Sequence, residues 1–330
     1  MKVIITGATG FIGRNIANCF LSRDVEVHAT GRDETVGLAL EDKGAVFKPC
    51  DILNLEILED VFEPADCVIH CAGKAGDWGK KQEFYNVNVI GTRNVVQACR
   101  KHGINKLVFI STPSIYFNGK DRLEIEEDEP LPNQMQTSYA STKLQAEKEL
   151  LDLAIEGFNS IILRPRAVFG PYDSTITPRI IKMAARKNFP LINSGKAKVD
   201  ITYIENLVEA VCQSMNALEP AWNQVYNISN GEPITMREWF ESILRVYDLP
   251  FKPKNVPSVA AKVLAVMMET ISKLPFGPEK PNFTRFSVGY MGKSMTLSIN
   301  KAKEKLGYLP LGTNEKSFDK FRQWYIQQQY

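Results

Sequence analysis

Apolar and polar positions fall into a strand–helix rhythm from the first residues of the chain. Lys2–Thr6 (KVIIT) is a short run with three branched apolar residues and predicts a buried strand. Ile12, Ile16 and Phe20 then recur at four-residue spacing, with Arg14, Asn15, Asn18 and Ser22 on the other face, which predicts an amphipathic helix. Val25, Val27 and Ala29 alternate as a second strand. Further strands are predicted at 45–50, 67–71, 107–110, 160–163 and 225–228, with helical stretches at 84–101 and 139–156 among them. Repeated βα units predict an α/β protein built on a doubly wound parallel sheet, where ligands bind at the carboxyl ends of the strands.

The segment Gly7-Ala8-Thr9-Gly10-Phe11-Ile12-Gly13 lies between the first strand and the first helix. In that setting Gly7 permits a tight turn, Gly10 admits a diphosphate close to the backbone, and Gly13 lets helix and strand approach. The helix start at Phe11 and Ile12 offers free N–H groups and a positive dipole end to the anion. We therefore expect a dinucleotide-binding domain over 1–170, with strands returning near 199–204 and 225–229, and a mainly substrate-binding lobe over 171–330. The second strand ends Gly31-Arg32-Asp33. An acid at that strand end would favour NAD through the ribose 2′-OH, whereas the Arg32 guanidinium suits a 2′-phosphate. NADP(H) is the expected cofactor, with NAD(H) as the alternative because Asp33 stands ready for a ribose. The plain alternative makes Arg32 a solvated loop residue. After the third strand, Asp51 and Ile52 suit the adenine amino group and ring, or Asp51 caps the following helix. After the fourth strand, Ala72, Gly73 and Lys74 leave room for close approach of the cofactor.

Tyr139 and Lys143 stand four residues apart at the start of a predicted helix, so they share one face. An ammonium beside a phenol favours the phenolate, and the pair can take a proton from an alcohol or give one to a carbonyl. The fifth strand runs into Ser111, Thr112 and Ser114, any of which can hold the substrate oxygen. In the C-terminal half, Val259, Val263, Met267, Ile271 and Leu274 form an apolar stripe over 256–274, opposite Lys262, Glu269 and Lys273. The favoured reading is a lid helix packing its stripe on the core. The alternatives are a wall for a lipophilic substrate, with Met267 and Met268 as adaptable lining, or a weak membrane contact.

The 330 residues are 44% hydrophobic and 24% charged, which supports a large core and excludes a disordered chain. Net charge is +2 with basic and acidic residues interspersed, so no nucleic-acid field is expected. The six cysteines include no CxxC pair, which fits free thiols in a reducing cytoplasm, and the three histidines lie too far apart to suggest a metal site.

The ordered set TGATGFIG (6–13), DI (51–52), HCAG (70–73), NVNVIGT (86–92), FISTPSIY (109–116), YASTK (139–143), LRPRAVFGP (163–171) and DITYIENLVEA (200–210) resembles the extended short-chain dehydrogenase/reductase superfamily. Residues 226–240 make it most similar to the branch of the 3β-hydroxysteroid and sterol-4-carboxylate dehydrogenases. The resemblance implies a Rossmann sheet with a smaller C-terminal α/β substrate lobe. It implies Tyr139 as general acid/base, Lys143 as partner to Tyr139 and to the nicotinamide ribose, and Asn88 as a structural residue on the cofactor side. It aligns the family's catalytic serine with Thr112 and sets Pro165 beside the nicotinamide. The expected reaction interconverts a secondary alcohol and a ketone on an apolar small molecule, sterol-like or a β-hydroxy/β-keto compound. A nucleotide-sugar epimerase and a non-catalytic NADP-binding sensor stay open at this point. A homodimer through helices 84–101 and 139–156 is expected, as is common in the family.

Overall fold

The computed structural model describes residues 1–185 and 189–329. Its largest sheet has seven strands: β1 (Lys2–Thr6), β2 (Glu26–Gly31), β3 (Val46–Pro49), β4 (Cys67–His70), β5 (Lys106–Ile110), β6 (Asn159–Pro165) and β7 (Gln224–Ile228). They lie in the order β7-β6-β5-β4-β1-β2-β3, and every neighbouring pair is parallel. The order reverses beside β1, so β1 and β4 part their following loops and open a crevice at their carboxyl ends. Successive residues serve opposite faces: Val3 and Ile5 join one core cluster and Ile4 the other. Helices cover both faces, which is why β1 reads as an uninterrupted apolar run rather than an alternation.

Helix α1 (Phe11–Leu21) follows β1 and buries Ile16, Ala17 and Phe20. The stretch expected as one helix over 84–101 is a short helix at Lys81–Tyr85, a π-helical turn at Asn86–Ile90 and then α2 (Gly91–Lys101). The π turn carries the buried Asn88. Helix α3 (Ser138–Asp152) starts under the Thr137 hydroxyl, which accepts from the Ala140 N–H. A 3₁₀ turn at Leu153–Glu156 and Gly157 at φ +79° close the segment. The strand at β7 joins the large sheet, whereas Lys198–Val199 and Thr202–Tyr203, expected to return to it, pair in smaller sheets.

The stripe over 256–274 does not pack on the core. Helix α4 (Ser258–Ser272) buries Ala261, Ala265 and Glu269, while Val259, Val263, Met267 and Ile271 are exposed, as is Leu274 just beyond it. The two alanines lie in a small cluster with Ile192 and Val288, the latter on α5 (Arg285–Gly292). Glu269 faces inward because the Arg285 backbone N–H and Nε donate to its two oxygens at 2.6 and 2.8 Å. Among the described residues no helix is long and apolar enough to cross a membrane.

Candidate functional site

The glycine turn is closed by its own backbone. Gly7 has φ +69°, and a Cβ there would lie 2.7 Å from the Ala72 nitrogen. A Cβ at Gly13 would lie 2.3 Å from the Gly7 oxygen. Gly10 is different: a Cβ there would meet only the Gly7 oxygen, at 3.3 Å, so its outer side is open. No side chain caps α1 and no acid stands in its first turn, which leaves the N–H groups beside Phe11 and Ile12 to an anion. These features fit a dinucleotide diphosphate.

Around the strand ends expected to meet the adenine, the structure separates the expected residues. Gly31 is small because a Cβ there would lie 2.4 Å from Thr9 Oγ1, so the strand end has no room for an acid. Arg32 is exposed and Asp51 half-buried, and they pair at 3.5 Å. Asp33, expected as a spare ribose ligand, instead caps the helix at Glu34–Glu41 by accepting from the Val36 N–H. Asp51 does not cap the next helix, since Asn54 accepts from the Ile57 N–H there. Its carboxylate accepts from the Leu53 N–H at 3.0 Å. Ile52 is buried and would collide with a Cβ on Gly91, at 2.4 Å.

Asn88 ties the loop after β4 to α3. Its Oδ1 accepts from the Lys74 N–H at 2.8 Å, and its Nδ2 donates to the Lys74 carbonyl at 3.1 Å and the Thr142 hydroxyl at 3.0 Å. A Cβ on Gly73 would crowd that Oδ1 at 3.3 Å. Ala72 lies under Gly7, and Pro165 ends β6 in register with Ile228.

Tyr139, Thr112 and Lys143 come together at the carboxyl end of β5. Burial holds the Tyr139 phenol above its ordinary pKa of 10, while the Thr112 hydroxyl beside it pulls the other way. Lys143 Nζ donates to the Ile110 carbonyl at 2.6 Å and sits 3.6 Å over the Phe109 ring. Burial pushes this ammonium down to about 7, against the pull of Glu147 and Cys71. The expected lowering of the phenol by Lys143 is therefore not found, because the ammonium is turned to a carbonyl instead. Ser111 donates to Glu147, and Ser114 lies 3.1 Å from Thr112 Oγ1, which leaves Thr112 as the hydroxyl facing Tyr139.

Two arginines at the end of β6, Arg164 within it and Arg166 just past it, behave oppositely. Arg164 is buried and forks onto Glu147, Nε at 3.1 Å and an Nη at 2.5 Å, and also donates to Tyr116. Tyr116 in turn donates to Asn227 at 3.0 Å. Arg166 is equally buried but stacks its guanidinium 3.8 Å over the Tyr290 ring, and its Nε has no hydrogen-bond partner. Burial lowers its pKa to about 9, opposed by Asp200, whose own carboxyl burial raises to about 6. The Tyr290 hydroxyl lies 3.5 Å from Ser114 Oγ, which links this guanidinium to Thr112 and Tyr139. A cavity of about 410 Å³ opens at the start of α3, lined by Thr137, Ser138, Trp78, Phe84, Phe286 and Arg285, with Glu269 from α4 and Lys273 just past its end. The wall from α4 is thus its polar edge, and Met267 is not part of it. His70 is buried between the Thr6 and Thr92 hydroxyls, and burial pushes it down to about 3. Among the described residues no group of three or more His, Cys, Asp or Glu side chains is placed to hold a metal ion.

The NAD dependent epimerase/dehydratase family matches residues 3–229. The chain belongs to that family. A 2-alkyl-3-oxoalkanoate reductase of Shewanella oneidensis is 32% identical to it, covering 96% of this chain and 84% of that one. The mouse sterol-4-alpha-carboxylate 3-dehydrogenase (decarboxylating) is 27% identical, over 97% of this chain and 89% of its own. Among solved structures, UDP-glucose 4-epimerase of Thermotoga maritima with UDP-glucose superposes with a TM-score of 0.79 at 20% identity, covering all of both chains. That last likeness speaks for the family fold alone. Sequence reasoning missed Glu147 as the partner of Arg164 and Ser111, although Tyr139, Lys143 and Glu147 fall at four-residue steps on one helix face. It also missed the Arg166–Tyr290 stack, whose two members are far apart in the chain.

Proposed function

We propose that this family member interconverts a 3-oxo acid and the matching 3-hydroxy acid. The chain is an NAD(P)-dependent oxidoreductase. The bound nicotinamide supplies or accepts the hydride. In the reducing direction the Tyr139 hydroxyl gives its proton to the ketone oxygen while the Thr112 hydroxyl holds that oxygen in place. Lys143, swung from the Ile110 carbonyl toward the phenol, steadies the phenolate that remains. The glycine turn and the start of α1 take the diphosphate. Asn88 fixes the loop of Ala72, Gly73 and Lys74 along the cofactor, with Pro165 beyond it.

The observation that carries the substrate class is Arg166. A buried guanidinium with an unused Nε–H, next to the hydroxyl cluster, calls for an anion with planar oxygens. Arg164 cannot play that part because Glu147 already holds it. The two curated relatives named above both carry, in their names, a carboxylate close to the oxygen-bearing carbon. The apolar remainder of the substrate would lie along Trp78, Phe84 and Phe286. Turnover of a 2-alkyl-3-oxo acid and of its methyl ester, followed by nicotinamide absorbance, tests this. The acid should be the better substrate, and Arg166→Met should raise its KM by roughly 10- to 100-fold while leaving the ester unchanged. Equal turnover of acid and ester by the parent overturns the reading.

For the cofactor we favour NADP(H), with Arg32 exchanging Asp51 for the 2′-phosphate. Arg32→Ala should weaken NADPH about tenfold or more and leave NADH as it was. A homodimer through α2 and α3, held side by side by the Arg93–Glu149 fork, and a cytoplasmic setting suited to the six free cysteines, belong to the same proposal.

A further inference from the structure

The outward face of α4 is a dense apolar surface. Of the 19 large hydrophobic residues exposed among the described residues, eight fall between Val259 and Phe276, and Phe276 is fully exposed. A helix that packs on a core turns its large residues inward, whereas α4 turns alanines inward and valine, leucine, methionine and isoleucine outward. Contiguous patches of this kind mark docking surfaces. The charges around it are mainly basic. From Lys252 to Lys280 the exposed charged residues are Lys252, Lys254, Lys262, Lys273 and Lys280 against one exposed acid, Glu279, while Glu269 is buried and held by Arg285. Lys262 and Lys273 lie within about 20° of each other around the helix axis, on the border between the buried and the apolar face. Long stems there can lie along apolar surface while the ammonium heads reach outward.

We propose that this face of α4 seats on the surface of an anionic lipid bilayer, with the helix lying in the plane of the interface. Apolar side chains with a basic border are what such a surface recognises. A second copy of the chain is the poorer occupant. Fifteen residues make a helix about 22 Å long and about 10 Å wide. One such face offers a few hundred Å² at most, well short of the roughly 800 Å² per partner that a stable interface buries. Its lysine border would also meet a like-charged border. Because the inner edge of α4 lines the cavity beside Tyr139, docking would bring the mouth of that cavity to the lipid.

Flotation of the full chain with vesicles tests this independently of any substrate. The probes are phosphatidylcholine vesicles with and without phosphatidylglycerol. The bound fraction should rise about fivefold or more when phosphatidylglycerol is present, and fall again at high salt. The double variant Val263→Asp, Met267→Asp should drop to background at an unchanged melting temperature, and Lys254→Ala with Lys262→Ala should lose several-fold on anionic vesicles only. No flotation of the parent, or equal flotation of the aspartate variant, overturns the proposal. So does light scattering without lipid in which the aspartate variant is smaller than the parent, since a second copy then covers the face.

Discussion

Helices α3 and α4 are each 15 residues long and stand on either side of the same cavity, yet each departs from the usual inside-apolar rule in its own direction. Helix α3 carries Lys143 and Glu147 inward, and both are satisfied: the ammonium by the Ile110 carbonyl, the carboxylate by Arg164 and Ser111. Helix α4 carries three valines and Met267 outward, where no other part of the described chain covers them. Removing one partner of a buried pair such as Glu147 and Arg164 is costly, so α3 is committed to its place by chemistry. The exposed face of α4 is not committed by anything within the chain, which is why it points to an outside surface.

The contrast predicts very different responses to substitution. The largest is at Glu147. Glu147→Ala leaves Arg164 buried without its carboxylate and should cost about 3–5 kcal/mol, read from the denaturant midpoint. A loss comparable to a surface change would mean that the network is solvated. Next is the pH dependence carried by Lys143. Its pKa of about 7 in the fold lies below the ordinary 10.5 of the unfolded chain, so between those values the unfolded chain holds a proton that the fold lacks. Stability should therefore rise from pH 7 toward pH 10 more steeply in the parent than in Lys143→Met. Parallel curves would place the ammonium in water. The smallest effect belongs to α4: Val263→Asp should change stability by no more than about 0.5 kcal/mol. A loss of several kcal/mol would return the stripe to the core.

Much of this was legible in the chain, and what was not has a physical reason. The seven strands and the glycine turn could be read because a parallel sheet covered on both faces demands continuous apolar runs and because the turn needs glycines at fixed steps. The Tyr139–Lys143 pair was readable from helical spacing. The direction of the 256–274 stripe was not, since periodicity tells that residues share a face and not what lies against it. The caps Asp33 and Asn54 were missed because several polar residues compete at each helix start and only local backbone geometry chooses between them. The different fates of Arg164 and Arg166 depend on partners at Glu147 and Tyr290, one upstream and one more than a hundred residues on.

The claim on which the rest depends is that the Tyr139 hydroxyl moves the proton in a nicotinamide-linked reaction. Nicotinamide absorbance under NADPH and a 2-alkyl-3-oxo acid, compared between the parent and Tyr139→Phe, tests it most directly. The account predicts a fall in kcat of about 10²- to 10⁴-fold with the melting temperature unchanged. A phenylalanine variant that turns over as fast as the parent contradicts it.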